Sequence, residues 1–343
     1  MTKIIMMGAR EDERAFSEEW AKKNNIDLTI TDEILNEDTY HLLEGFDGIS
    51  LQQTMGIPTS MYARLKKDGF KQIAQRSAGV DMYDLEAASE NNIFVTNVPA
   101  YSPNSVAEFA VSSALNCLRH TQEIQKRVKN HNFSWNKEII SKEVRSLTIG
   151  ILGTGRIGRV TAEIFKGFGA KIIGFDVFKS PEAENILDYV DNFDQFLTQS
   201  DLISIHMPLT KENHHLFNDD TFAKMKPGSI LINAARGGIL DTEALIKALD
   251  SGQLSACALD TYENEMPYVT KDWSDKEIED KILLELINRV DVLYTPHIAF
   301  YTETSVENLV FGALDACLSV LTTGILRQLL LTHKKQVISI MRR

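Results

Sequence analysis

Residues 146–152, SLTIGIL, form a short apolar run rich in β-branched residues. They lead directly into Gly153-Thr154-Gly155-Arg156-Ile157-Gly158 and then into a helical pattern. Strand, glycine turn and helix in that order leave a chain few folds. Gly153 permits the tight turn, Gly155 lets the backbone approach a pyrophosphate, and Gly158 lets the helix pack close to the strand. The free N–H groups at the helix start then face the phosphate charge. Glycines punctuate many turns, so the motif needs its context. That context is a second strand, residues 171–175, which ends at Asp176, 18 residues beyond Gly158. A carboxylate there accepts hydrogen bonds from the two ribose hydroxyls of adenosine and repels a 2′-phosphate, which predicts NAD over NADP.

Strand patterns recur at 201–206, 228–233, 255–259 and 291–294, with helical stretches between most of them. Together with the first two they make six strands, a full dinucleotide-binding sheet. An earlier series has short apolar or β-branched runs at 3–8, 27–31, 47–51, 71–75 and 93–97, again interleaved with helical segments. The fold class predicted is α/β, with parallel sheets. A long helix is expected from about residue 105 to 130, started by Ser102-Pro103. Val106, Phe109, Ala110, Ala114 and Cys117-Leu118 recur near helical spacing, and the pattern turns charged past Arg119. This helix connects the two series, and 343 residues suffice for two domains.

Composition narrows the function classes. The net charge is −12, which disfavours a phosphate backbone as partner, so no nucleic acid is expected. The cysteines, Cys117, Cys257 and Cys317, are scattered and lack CxxC spacing. Neither a disulfide framework nor a thiolate zinc site is indicated, no metal is expected, and a reducing compartment, the cytoplasm, fits. The opening MTKIIMMGAR is too short for a signal peptide or a membrane span. Residues 324–343 carry five Lys/Arg and no Asp/Glu. Ile325, Leu326, Leu329, Leu330 and Leu331 there suggest either an amphipathic helix or an unstructured tail.

Three further segments end predicted strands of the second series, the edge at which open α/β sheets bind ligands. They are NAARGG with Arg236, LDTYENE with Asp260 and Glu265, and TPHIAF with His297. Singly, each has an ordinary reading as a surface charge, a hydrogen-bonded structural histidine or a solvated acid. Jointly they supply what interconversion of a hydroxy acid and a keto acid needs. Planar Arg236 can hold a carboxylate and polarise a carbonyl. His297 can exchange the hydroxyl proton, and Glu265 can orient the imidazole and favour its protonated form.

On QRSAGVDMYDL, NVPAYSPNSVAEFAV, ILGTGRIGRV, NAARGG, LDTYENE and TPHIAF, taken in order, the chain resembles the D-isomer-specific 2-hydroxyacid dehydrogenases from about residue 3 to 323. Within that family it is most like the bacterial D-lactate dehydrogenase branch. The resemblance implies a flavodoxin-like substrate domain from residues 1–101 and 299–343 and a Rossmann-type NAD domain from 102–298, with hinges near Tyr101 and Ala299 and closure of the lobes. It implies that Arg236 binds substrate, that His297 donates the proton to pyruvate, and that Glu265 is its partner. Arg156, Ile157, Asp176, Met207, Pro208, Asn213, Ala234, Ala235 and Asp260 match positions that contact NAD. The N–H groups around Ala78 and Gly79 would help hold the carboxylate, and Tyr101 and Phe300 would border the substrate side chain. His206 ranks second as an acid/base. Family members are typically homodimers. A hydroxyisocaproate, glycerate or phosphoglycerate enzyme, or an NAD-sensing corepressor on the same fold, are the rival readings. Residues 325–343 depart from the resemblance.

Overall fold

The computed structural model describes residues 1–53, 55–323 and the backbone of 337–339. The chain divides into two compact units, Met1–Ser102 with Tyr301–Arg343, and Pro103–Phe300.

In the first unit the strands are β1 (Lys3–Met7), β2 (Asp27–Ile30), β3 (Gly48–Leu51), β4 (Gln72–Gln75) and β5 (Phe94–Asn97). All pair in parallel, in the spatial order β5-β4-β3-β1-β2, which is the flavodoxin-like order. β1, β3 and β4 are nearly or wholly buried because helices cover both faces, so their sequences run apolar instead of alternating. The helix Glu303–Thr323 returns to this unit and buries Val306, Leu309, Val310, Ala313, Leu314 and Cys317. It packs against β3 and β4. By length and composition it could cross a membrane, but about half of its apolar window is buried here, as in a core helix. Gly48 lets it lie close: a Cβ there would meet Cys317 Sγ and Leu321 Cδ1 at under 3 Å.

A buried ion pair ties the strand ends of this unit. Arg76 Nε donates to Glu13 Oε1 (3.1 Å), Nη1 to Ser50 Oγ (3.2 Å) and Nη2 to the Met7 carbonyl (2.9 Å), so one guanidinium spans the ends of β1, β3 and β4. Arg76 and Glu13 are both fully buried, and removing either would strand the other charge.

The second unit holds β6 (Thr148–Leu152), β7 (Lys171–Phe175), β8 (Asp188–Tyr189), β9 (Leu202–Ile205), β10 (Ser229–Asn233), β11 (Leu254–Leu259) and β12 (Val292–Tyr294). They form a parallel sheet in the order β12-β11-β10-β9-β6-β7-β8, so the order reverses between β6 and β9. Ligands bind outside the carboxyl ends of strands at such a switch point. β8 is the strand that the sequence pattern does not reveal. Two residues are too few to show a period.

The helix expected over 105–130 is two helices, Pro103–Leu118 and Thr121–Lys129. The break is at His120, whose φ of 53° is left-handed and cannot continue a helix. The reason is burial. The first helix buries Val106, Ala110, Ala114, Cys117 and Leu118, whereas the second buries nothing.

The tail reading on Ile325 to Leu331 lies outside the described residues. A strand β13 (Val337–Ser339) pairs in parallel with β5.

Candidate active site

The glycine turn has the geometry its sequence predicts. Gly153 has φ +89°, and a Cβ on it would sit 2.7–2.9 Å from the backbone of His206 and Met207 after β9. It therefore marks the β6/β9 switch point itself. Gly155 caps the helix Arg156–Gly167 and has open space where a side chain would stand. Gly158 is buried, and any Cβ there would collide with the Gly153 carbonyl. Gly155 and Arg156 are exposed and Ile157 half-buried at the helix start, where N–H groups lack intrahelical partners and favour an anion.

Asp176 follows β7 and is half-buried. Its Oδ2 accepts from Thr154 N (2.6 Å) and Thr154 Oγ1 (3.2 Å), and its Oδ1 from Phe178 N (2.9 Å). The carboxylate is thus locked beside the glycine turn, with acceptor capacity remaining on both oxygens. Thr154, whose hydroxyl also pairs with Tyr189 at 2.6 Å, is a positioning residue that the motif reading passed over. An open glycine, a helix N-terminus and a fixed carboxylate at the next strand fit an adenine dinucleotide.

After β9, His206 and Met207 are half-buried and Pro208 is exposed. Asn213 shapes this loop: its Oδ1 accepts from Thr210 N (2.7 Å) and its Nδ2 donates to the Pro208 carbonyl (2.8 Å). His206 Nε2 lies 2.8 Å from Ser204 Oγ. Burial lowers the His206 imidazole from 6.5 to about 3, so it stays neutral at physiological pH and is a poor proton donor there. The unfolded chain takes up this proton near the ordinary value and the folded chain does not. Stability from this group is therefore complete above the unfolded value of 6.5 and is lost as pH falls toward 3. His206→Asn is expected to flatten the stability–pH slope across that window, read from urea midpoints. An unchanged slope would overturn the assignment.

After β10, Asn233 is fully buried and builds the turn that carries the arginine. Its Oδ1 accepts from Ala235 N (3.0 Å) and its Nδ2 donates to the Arg236 carbonyl (2.9 Å). This side chain-to-backbone turn is why asparagine stands at the strand end. The sequence signal for it is the Asn that precedes AARGG. Ala234, Ala235 and Arg236 are half-buried, and Arg236 Nη1 donates to the Ala235 carbonyl (2.8 Å). Gly237 must be glycine because a Cβ would strike the backbone of Tyr262 and Glu263.

After β11 and β12 two of the predicted site residues, Glu265 and His297, come together. His297 Nδ1 is 2.7 Å from Glu265 Oε1, and Glu265 Oε2 accepts from Tyr262 N (2.8 Å). Glu265 is nearly buried and His297 half-exposed, so the ring is held at Nδ1 by an inward-facing carboxylate. His297 has φ +58°, a strained position for a non-glycine residue. Asp260, almost fully buried, over-determines it. Its Oδ1 accepts from Thr295 Oγ1 (2.6 Å) and Ile298 N (2.9 Å), its Oδ2 from Ala299 N (2.9 Å), and its carbonyl from His297 N (2.7 Å). Asp260 is thus a clamp on the histidine turn. β10, β11 and β12 are neighbours in the sheet, which puts Arg236, Glu265 and His297 on three adjacent strand ends spanning roughly 10 Å. Phe300 closes this unit, half-buried.

In the first unit Ala78 and Gly79 follow β4 on a half-exposed loop. The Asn97 side chain donates to the Ala78 carbonyl (2.6 Å) and Ser77 Oγ to the Gly79 carbonyl (2.6 Å). The carbonyls are satisfied inward, and among the described residues no acceptor meets the Ala78 or Gly79 N–H. The Tyr101 carbonyl accepts from Asn308 Nδ2 (2.7 Å), which fixes the end of this unit.

Residues 111–299 match the family model for the D-isomer specific 2-hydroxyacid dehydrogenase NAD binding domain. The chain is 47% identical over 322 residues to a D-lactate dehydrogenase of Streptococcus agalactiae, covering 94% of this chain and 98% of that one. It is 46% identical over 324 residues to a D-lactate dehydrogenase of Staphylococcus aureus, with the same coverage. Among solved structures it is similar to the Treponema pallidum D-lactate dehydrogenase, with a TM-score of 0.86, 41% identity and coverage of 93% and 97%. It is also similar to a D-2-hydroxyisocaproate dehydrogenase, with a TM-score of 0.88, 36% identity and coverage of 95% and 99%. With the glycine turn, the arginine turn and the Glu–His pair all in place, the chain belongs to the D-isomer specific 2-hydroxyacid dehydrogenases.

Proposed function

We propose that the chain is a D-lactate dehydrogenase that reduces pyruvate to (R)-lactate with NADH and catalyses the reverse oxidation. The observation that carries this reading is the His297–Glu265 pair, 2.7 Å apart, on strand ends next to the Arg236 turn. The bound cofactor supplies hydride chemistry at the carbonyl carbon. Arg236 holds the substrate carboxylate and stabilises the oxygen as it gains charge. His297 delivers a proton to that oxygen from Nε2, since Nδ1 is engaged by Glu265. Glu265 orients the ring and neutralises the charge it carries while protonated.

The cofactor site comprises the three glycines, Arg156, Ile157, Asp176, Met207, Pro208, Asn213, Ala234, Ala235, Arg236 and Asp260. Asp176 selects NAD, because a 2′-phosphate would meet its charge. The N–H groups of Ala78 and Gly79 and the side chain of Tyr101 are substrate contacts contributed by the first unit, and Arg236 and Phe300 are those of the second. The units Met1–Ser102 with Tyr301–Arg343 and Pro103–Phe300 serve as the substrate and NAD domains respectively. The similar D-lactate dehydrogenases favour a small substrate, while the similar D-2-hydroxyisocaproate dehydrogenase supports a branched 2-keto acid as the second reading.

The enzyme works as a cytoplasmic homodimer on a small molecule, without nucleic acid or membrane. Phe133, Trp135 and Ile140 are 71%, 94% and 72% exposed, apolar side chains that a second copy would cover. The three cysteines are free and buried, as suits a reducing compartment.

Steady-state reduction of pyruvate, phenylpyruvate and 2-ketoisocaproate with NADH and NADPH, with chiral analysis of the product, tests the reading. Pyruvate with NADH is expected to give the highest kcat/KM and an (R) product. A preference for 2-ketoisocaproate or an (S) product would overturn it.

A further inference from the structure

Distinct in its residues from the proposed reaction centre, the second unit holds a cluster with the donor set of a metal site, formed by His214, His215 and Glu263. His214 Nε2 lies 2.9 Å from Glu263 Oε1, and His215 Nε2 lies 3.1 Å from Oε1 and 3.0 Å from Oε2. The ligand atoms are all within 4.8 Å of one another. Consecutive residues seldom aim their rings at one point. Here they do so because His215 takes a left-handed φ of 51°, which stacks its ring on that of His214 with centroids 4.0 Å apart. The His215 N–H donates to the Gly238 carbonyl (2.9 Å), which fixes the reversal. Gly238 also leaves the space beside the cluster open, since a Cβ there would lie 3.5 Å from His214 Cδ2 and 3.7 Å from Glu263 Oε1.

We propose that His214, His215 and Glu263 form a binding site for a divalent transition-metal ion of the zinc class. Two imidazole nitrogens and a carboxylate are the N/O set zinc prefers, whereas magnesium and calcium favour oxygen alone. Tetrahedral zinc with bonds of about 2.0–2.1 Å spaces its ligand atoms roughly 3.4 Å apart. The His–Glu separations of 2.9–3.1 Å need only a small outward shift, and all the ligand atoms lie within 4.8 Å of one another. Three protein ligands leave a position for water, and the partly exposed side chains give access from solvent. The sequence gives no hint of this site, because its third ligand is 48 residues from His215 and only the sheet order brings the loops after β9 and β11 together. An ion there would tie these two loops, which lie on either side of the Arg236 turn. The site stands independently of which 2-keto acid is reduced.

The test uses the untagged full chain, stripped with chelator and titrated with zinc in competition with a chromophoric chelator. One ion per chain is expected, at micromolar affinity. The double variant His214→Gln/His215→Asn should lose at least about tenfold in affinity. Asn is chosen at 215 because it tolerates the left-handed backbone. His297→Gln should keep the affinity, which separates this cluster from the His297–Glu265 pair. Zinc should raise the Tm of the parent chain and not of the double variant, because only a chain that binds in the folded state is stabilised. Cobalt(II) should give the absorption of a four- or five-coordinate site in the parent alone. No zinc uptake by the parent, equal affinity in the double variant, or loss of binding in His297→Gln would each overturn the proposal.

Discussion

His297→Gln is expected to lower kcat for pyruvate reduction by about 10²–10⁴-fold, the usual contribution of a positioned general acid. NADH affinity should be retained, because the glycine turn and Asp176 lie beyond the sheet's switch point from β12. Glutamine keeps a polar group of similar size on the strained turn, whose geometry is set by the four hydrogen bonds from residues 295–299 to Asp260. The loss is then chemical rather than structural. Glu265→Gln gives the companion result. Glu265 holds the ring through Nδ1 at 2.7 Å, so its loss should lower kcat for pyruvate reduction with little change in NADH affinity. Pre-steady-state NADH oxidation by His297→Gln at the parent rate would contradict its role, as would an unchanged kcat in Glu265→Gln.

Arg236→Lys carries the second large effect, a fall in kcat/KM of about 10²–10³-fold, comparable with losing one donor to a developing oxyanion. Charge is conserved in this change and geometry is not. The planar guanidinium is oriented by its bond to the Ala235 carbonyl, on a turn set by Asn233 and pressed against residues 262–263 at Gly237. An ammonium offers a point charge with no paired N–H groups to span a carboxylate and a carbonyl oxygen. Both a raised KM for pyruvate and a lowered kcat are expected, since the same group acts in the ground and transition states. A loss below about tenfold would mean that charge alone suffices.

The parts of this molecule that could be read from the sequence are those in which one residue type answers one local need. Gly153, Gly155 and Gly158 differ in what surrounds them, a positive φ, an open face and a carbonyl in contact, and the motif assigns those three needs correctly. The parallel sheets were legible because strands buried on both faces run continuously apolar. The parts that could not be read depend on contacts distant in sequence. Arg76 resembles any strand-end arginine until Glu13, 63 residues away, is placed beside it. Asp260 sits in a recognisable motif, yet its grip on Thr295, Ile298 and Ala299 follows from the adjacency of β11 and β12. The break at His120 was hidden because Arg119 and His120 are compatible with a helix. What ends it is the loss of a buried face beyond Leu118.

The most direct measurement is a crystal structure of the chain with NADH and oxamate, an isostere of pyruvate. Arg236 and His297 Nε2 are both expected within hydrogen-bond distance of the oxamate carbonyl oxygen, with Glu265 still bonded to Nδ1. Either group turned away from that oxygen while both ligands are bound would contradict a shared catalytic centre.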